Sequence, residues 1–131
     1  MRNGWYSKNT MKEIGINSEA LQEILAGRKT VETRLATPRF VAFRPGDEIS
    51  LREDLRRDGL VVSSTSGVAR IIVTSVDRFP SFREMAEALG VERINPTARN
   101  IDEALRRFRK FYTAESEARE GVVAISFSLV K

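Results

Sequence analysis

The chain has 131 residues, of which 41% are hydrophobic and 31% charged, a size and composition typical of one globular domain. It contains no cysteine and no histidine, which excludes disulfides, thiolate nucleophiles, imidazole bases and Cys/His metal sites. The 22 basic and 18 acidic residues give a net charge of +4, which favours an anionic partner such as nucleic acid. Because no segment has the apolar pattern of a membrane span or a signal peptide, we expect a cytoplasmic protein with no membrane contact.

The N-terminal part of the chain predicts an arm followed by a strand and a helix. Residues 1–10 are predicted to form an N-terminal arm, and residues 11–131 a single domain. Residues 11–16 alternate in a way that is compatible with a strand. A helix should follow, capped by Asn17 and Ser18 and stopped by Gly27 in a left-handed conformation.

The middle of the chain predicts strands separated by turns. Residues 30–35 are rich in β-branched side chains and alternate, which indicates a strand. The Pro-Gly-Asp turn at 45–47 precedes a second alternating segment at 48–52, and the polar run 53–59 is expected to interrupt it. Residues 60–76 are predicted to form a hairpin with its turn in the Ser/Thr/Gly-rich segment 63–67 and a long buried second strand.

The C-terminal part predicts two helices and a final strand. Ser81 and Glu84 form a capping box that opens a helix closed by Gly90. A further helix should begin near Asn100, with an apolar stripe made of Ile101, Leu105, Phe108 and Tyr112. Residues 121–130 alternate large apolar with small side chains, as expected of a strand with one small-residue face. The order of these elements fits a small α+β barrel.

Four motifs in this order resemble the ASCH domain family. They are Gly27-Arg28-Lys29-Thr30-Val31-Glu32-Thr33-Arg34, Pro45-Gly46-Asp47, Phe79-Pro80-Ser81-Phe82, and Phe111-Tyr112 together with Gly121-Val122-Val123-Ala124-Ile125. The resemblance implies a PUA-like mixed β-barrel of about five or six strands with two or three flanking helices. It also implies a cleft beside the first of these motifs that binds RNA or a modified nucleotide.

The same motif carries the candidate binding residues. Lys29 follows a helix terminus, and Glu32 and Arg34 share one face of the predicted strand with Thr30, so that cations and an anion lie side by side. Arg34 offers a planar fork to a phosphate or a base edge, and Glu32 accepts hydrogen bonds from an exocyclic amine. Tyr112 is a secondary candidate, with its hydroxyl at the cleft edge. The alternative is a structural Glu32–Arg34 ion pair with Lys29 in solvent.

A hydrolase that uses the same cleft is the alternative function. Lys29 and Glu32 would be its catalytic residues, in a metal-independent ribonuclease or an N4-acetylcytidine amidohydrolase. The resemblance implies the second activity, which occurs in one branch of the family. The family branch with that activity has a nucleophilic threonine three residues after the lysine, where this chain has Glu32, and this departure counts against the activity. Its distal glutamate would correspond to Glu87 or Glu92.

A basic cluster in the last predicted helix is the candidate contact for nucleic-acid phosphates. Arg106, Arg109 and Lys110 share one helix face next to Arg107. The alternative is a solvated face that Glu103, Glu115 and Glu117 partly neutralise. The aromatic residues of the arm, Trp5 and Tyr6, are candidates for stacking on a base. We expect no cofactor and no metal, and the sequence leaves the oligomeric state open.

Overall fold

The computed structural model describes residues 12–131, so the predicted arm, with Trp5 and Tyr6, lies outside the described residues. Five strands are present: β1 (Lys12–Ile16), β2 (Val31–Leu35), β3 (Glu48–Arg57), β4 (Leu60–Phe79) and β5 (Val122–Leu129). The helices are α1 (Ser18–Leu25), α2 (Pro38–Val41), α3 (Phe82–Leu89), α4 (Val91–Ile94), α5 (Ile101–Arg109) and α6 (Ala114–Glu120). None of the helices in this described range is long and apolar enough to cross a lipid bilayer.

The strands form one mixed sheet in the order β1-β3-β4-β5-β2. β1 pairs with β3 in parallel, and the other neighbours are antiparallel. The sheet stays open, with β1 and β2 as its two edges, but Arg34 Nη2 on β2 donates a hydrogen bond to the Gly15 carbonyl of β1 at 2.8 Å. The α+β class is therefore confirmed, and one side chain, instead of a ladder of backbone bonds, connects the two edges of this barrel-like sheet.

Residues 12–131 contain six helices, more than the two or three that we expected. Two of the additional ones, α2 and α4, have only four residues each, too few to show a helical period in the sequence. The predicted starts of the longer helices are confirmed, because Asn17, Ser81 and Asn100 each accept a hydrogen bond from a backbone N–H of the first turn.

The hairpin between β3 and β4 lies elsewhere than predicted. β3 continues through the polar run to Arg57, and the turn is at Asp58 and Gly59, whereas residues 63–67 belong to β4. Both turn residues have positive φ, 53° and 80°, the conformation of a tight two-residue hairpin for which Asp-Gly is well suited. The polar run is compatible with a strand because residues 55–63 form an exposed two-stranded ribbon with solvent around it.

The sheet buries apolar side chains on both faces, and β5 contributes to both. Val123, Ile125 and Phe127 pack in one cluster with β1, β3 and α1, while Val122 and Ala124 pack in the other with α3 and α5. This arrangement confirms the predicted alternation of the last strand. β2 packs in the same cluster as α5, through Val31, Ala104 and Phe108.

Candidate functional site

A cavity of about 240 Å³ opens between the two edge strands of the sheet. Gly15 and Ile16 of β1 line one side and Thr33 and Arg34 of β2 the other. The start of α1, the loop after α4 and the end of α5 complete the walls. The cavity thus occupies the place where a closed barrel would have paired β1 with β2.

Lys29 lies at the floor of this cavity and is 8% exposed. Its Nζ donates hydrogen bonds to the carbonyl oxygens of Val31 at 2.9 Å and Ile94 at 2.7 Å. The ammonium group also lies 3.8 Å from Glu32 Oε2. Gly27, whose φ of 80° ends the α1 segment, turns the chain so that Lys29 points into the protein.

Glu32 is 6% exposed and lies between two cations. Its Oε1 accepts a short hydrogen bond from Arg34 Nη1 and a longer one, 3.3 Å, from the Thr33 amide. Its Oε2 is buried and has no hydrogen-bond partner. The carboxylate therefore keeps one acceptor oxygen free beside the Lys29 charge.

Arg34 connects the floor to both strand edges. Besides the bonds to Glu32 and to Gly15, Nη1 donates to the Thr33 carbonyl at 3.0 Å. The guanidinium carbon lies 5.5 Å from the ring centre of Phe40, which places the cation over an aromatic face. These contacts hold the guanidinium in one orientation, with 16% of the side chain exposed.

Burial and mutual attraction set the protonation of the three groups. Burial disfavours the charged form of Lys29 and lowers its pKa, against the opposing pull of Glu32. Burial also opposes ionisation of Glu32, but the charges of Lys29 and Arg34 and the hydrogen bonds outweigh it and lower the pKa of that carboxyl. The floor thus favours the carboxylate form of Glu32 beside the Arg34 guanidinium.

The family model described as "ASCH domain" matches residues 14–131. The chain belongs to the ASCH domain family. No curated protein matches it at a significant level. The crystal structure of the hypothetical protein PH0355 is similar, with 30% identity, a TM-score of 0.78 and coverage of 92% of this chain and 100% of that one.

Two further structures extend the comparison. The solution structure of protein PF0455 from Pyrococcus furiosus is 31% identical, with a TM-score of 0.72 over 93% of this chain and 99% of that one. An ASCH domain from Lactobacillus crispatus shares the fold at 13% identity and a TM-score of 0.54, over 98% of this chain and 86% of that one. The fold therefore agrees with the family membership.

The aromatic wall of the ASCH cavity comes from the end of α5 and the residues after it. Phe108 and Tyr112 line the cavity but also pack on Phe82, with ring centres 4.4 and 5.3 Å apart, so most of their surface is in the core. Burial raises the pKa of the Tyr112 hydroxyl. Phe111 also lines the cavity and is 60% exposed. It therefore offers a free aromatic face at the cavity mouth.

The structure brings four of the five predicted ligand-binding residues together. Lys29, Glu32, Arg34 and Tyr112 all line the cavity. Thr30 is not among the lining residues; its backbone N–H and C=O pair with Arg93 and Phe127 just before β2.

The predicted phosphate contacts lie away from the cavity. Arg106, Arg109 and Lys110 are exposed on α5 and at its end but do not line it, and Arg109 pairs with the buried Glu117 at 2.8 Å. Arg107, their neighbour, does line the cavity and donates to Asn95 Oδ1 at 2.7 Å and Thr97 Oγ1 at 2.6 Å. The helix period explains this difference, because Arg107 lies on the flank of the helix that faces the loop after α4.

Sequence reasoning missed most of the lining residues, among them Thr33, Asp54, Arg56 and Phe111. Phe111 had a signal, because it directly precedes Tyr112 in the family motif, whereas Arg56 depends on the unpredicted extension of β3. Glu87 and Glu92, the candidate distal glutamates, do not line the cavity. Within residues 12–131 no three His, Cys, Asp or Glu side chains are grouped so that they could hold a metal ion.

Proposed function

We propose that this ASCH domain binds RNA or a modified nucleotide in the cavity between β1 and β2. The observation that carries the proposal is a set of three charged residues at the floor of a cavity with an aromatic mouth: Lys29 and Glu32, which are buried, and Arg34, which is 16% exposed. Cavities with a few convergent polar groups among apolar walls are typical ligand sites. Unpaired bases are recognised by such a combination of hydrogen bonds and stacking.

Phosphate contacts are assigned to the rim of the cavity. Arg56 and Arg107 both line it. The guanidinium of Arg56 is anchored by the Gly59 carbonyl, and that of Arg107 by Asn95 and Thr97, with Glu103 at the longer distance of 3.6 Å. The neutral anchors and the long contact to Glu103 leave positive charge available to an anion. The two arginines replace Arg106, Arg109 and Lys110 as the proposed phosphate contacts.

The first experiment measures the affinity of labelled single-stranded RNA over a range of salt concentrations for the wild type, Arg56→Ala and Arg107→Ala. We expect each variant to bind more weakly and to reduce the slope of log K against log salt by about 0.7, the value for one phosphate contact on a single strand. Arg83→Ala is the matched control, because Arg83 pairs with Asp102 outside the cavity. Equal losses in all three variants, or no RNA binding by the wild type, would contradict the proposal.

A hydrolase in the same cavity is the second candidate. The proximity of Lys29 and Glu32, 3.8 Å apart, and the lowered pKa of Lys29 favour it. Against a role of Lys29 as base, its Nζ already donates to two carbonyl oxygens, which stabilise the hydrogen-bearing form. The position of the family's threonine nucleophile holds Glu32, although Thr33 lines the cavity.

The two functions are separated by following products as well as complexes. The protein is incubated with N4-acetylcytidine and with labelled RNA, beside Lys29→Met and Glu32→Gln. A stable RNA complex without turnover, weakened in both variants, is the expected result. Turnover by the wild type that is lost in Lys29→Met would favour the hydrolase.

A further inference from the structure

The free oxygen of Glu32 indicates what kind of ligand group the cavity floor accepts. Glu32 Oε2 is a buried side-chain oxygen without a hydrogen-bond partner. Within residues 12–131 it is the only buried side-chain nitrogen or oxygen atom that lacks one. Buried polar atoms nearly always have a partner, and an unpaired acceptor carries a cost in free energy. Because Glu32 lines the cavity, a ligand with a hydrogen-bond donor can supply the missing bond.

The donors at the floor are largely used by the protein itself. Lys29 Nζ donates to two carbonyl oxygens, and Arg34 donates to Glu32, Thr33 and Gly15. A phosphate has only acceptor oxygens at neutral pH, and it would meet a carboxylate oxygen where it needs a donor. The floor therefore favours a neutral group that carries an N–H over a phosphate.

The remaining hydrogen-bonding capacity of Arg34 extends this preference. A guanidinium has five N–H bonds, and three contacts of Arg34 are made within the protein. Arg34 therefore has N–H bonds to spare next to the same carboxylate, at Oε1, while the free acceptor is Oε2. The Watson–Crick edge of a nucleobase presents a donor next to an acceptor and matches this arrangement.

The cavity mouth supplies a surface for the flat face of the same base. Phe111 is 60% exposed, and its ring centre is 6.4 Å from that of Tyr112 with the ring planes inclined at 56°. Stacking of a base on an exposed aromatic ring is a common means of binding single-stranded nucleic acid. The cavity volume of about 240 Å³ is below the usual range for drug-sized ligands, which suits a single base.

We infer that the cavity takes one unpaired nucleobase edge-first, with Glu32 Oε2 accepting an N–H of its Watson–Crick edge and Phe111 stacking on its face. This inference rests on the proposed function and adds to it the part of the nucleotide that is bound. The base lies at the floor, while the phosphates stay at the rim beside Arg56 and Arg107.

The test compares RNA heptamers whose bases can or cannot donate. Homopolymers of the four bases are titrated into the protein, and the tightest binder is remade with nucleotides whose Watson–Crick N–H groups carry methyl groups. We expect methylation to weaken binding to the wild type by about tenfold or more, the value of a hydrogen bond to a charged group. Phe111→Ala should weaken the unmethylated heptamer by about tenfold, whereas Leu60→Ala, which removes another exposed apolar side chain outside the cavity, should not.

A steric effect of the methyl groups is separated from a lost hydrogen bond by Glu32→Gln. If the N–H bonds to the carboxylate, methylation should matter much less in this variant, whereas a steric clash would weaken both proteins equally. Binding by the wild type that is insensitive to methylation, or an equal methylation effect in Glu32→Gln, overturns the inference and leaves the proposed function intact. Failure of all four heptamers to bind overturns both.

Discussion

Two pairs of an arginine and a carboxylate, each two residues apart on one strand, have different surroundings in this molecule. The cavity pair is Glu32 and Arg34 on β2, and the hairpin pair is Arg52 and Asp54 on β3, of which Asp54 also lines the cavity. In the hairpin pair both carboxylate oxygens are satisfied, because Arg52 donates to each of them and Ser64 Oγ adds a bond at 2.7 Å. In the cavity pair one oxygen stays without a partner.

The two pairs also differ in how deeply the arginine is buried. The Arg52 side chain is 35% exposed and Arg34 only 16%, and a second cation, Lys29, lies beside the cavity pair. A complete and partly solvated pair suits a structural role. A buried, incomplete pair with excess positive charge is costly unless a ligand completes it, which is why we assign binding to the cavity pair.

The largest effect on stability is expected from Glu32→Ala. The substitution leaves Lys29 and Arg34 buried side by side without a counter-charge, and loss of one partner of a buried pair costs about 3–5 kcal/mol. Urea unfolding at neutral pH measures the change. Asp102→Ala, at a side chain that is 68% exposed, is the control and should leave the midpoint unchanged. A loss for Glu32→Ala below about 1 kcal/mol would mean that the cavity pair is as solvated as a surface pair.

The same truncation in the hairpin pair should cost less. Asp54→Ala removes the bonds from Arg52 and Ser64, but water replaces them at the exposed guanidinium, so we expect a loss of about 1–2 kcal/mol. The informative quantity is the ratio between the losses in unfolding free energy that Glu32→Ala and Asp54→Ala cause in the same urea experiment. Equal losses in unfolding free energy would show that the difference in burial between the pairs does not affect stability.

Gly15 lies between the two pairs and links them. Its carbonyl accepts from Arg34, while a Cβ at this position would clash with Asp54 Oδ2 and Arg52 Nη2. Gly15→Ala should therefore displace the hairpin pair, at a cost of about 1 kcal/mol, since both clashing atoms end flexible side chains. In the Asp54→Ala background the same substitution should cost clearly less, and a double-mutant cycle measures the coupling. If the losses in unfolding free energy of Gly15→Ala and Asp54→Ala are strictly additive, the added Cβ does not act through Asp54.

The sequence shows the spacing of both pairs but not their surroundings. Glu32 and Arg34 can be placed on one strand face from alternation alone, as the structure has them. The burial of Lys29 depends on the Ile94 carbonyl, which is 65 residues away, and the contact between the two sheet edges depends on Arg34 reaching Gly15. Contacts of this range leave no periodic signal in the chain.

Two other differences between the predictions and the structure have a cause in the local sequence. The Asp58-Gly59 turn has the dipeptide that favours tight hairpins, but the Ser/Thr/Gly-rich segment that follows gave a competing turn signal. Phe111 lies outside the helical period because α5 ends at Arg109, so that a helix face predicted through Tyr112 cannot place it. The fold class is thus accessible from patterns, while the cavity is formed by contacts between distant segments.

The smallest expected effect is the acid response of the hairpin pair. The hydrogen bonds from Arg52 lower the pKa of Asp54 from 3.8 to about 2, so the unfolded chain takes up this proton at a higher pH than the folded one. The stabilisation is therefore complete above about pH 4 and is lost as the pH falls towards 2. Because solvent reaches Arg52, the change should stay below about 1 kcal/mol. Urea unfolding of the wild type and Asp54→Asn over this pH range measures it. Their difference should shrink on acidification, and a constant difference would mean that Asp54 stabilises the hairpin through its shape instead of its charge.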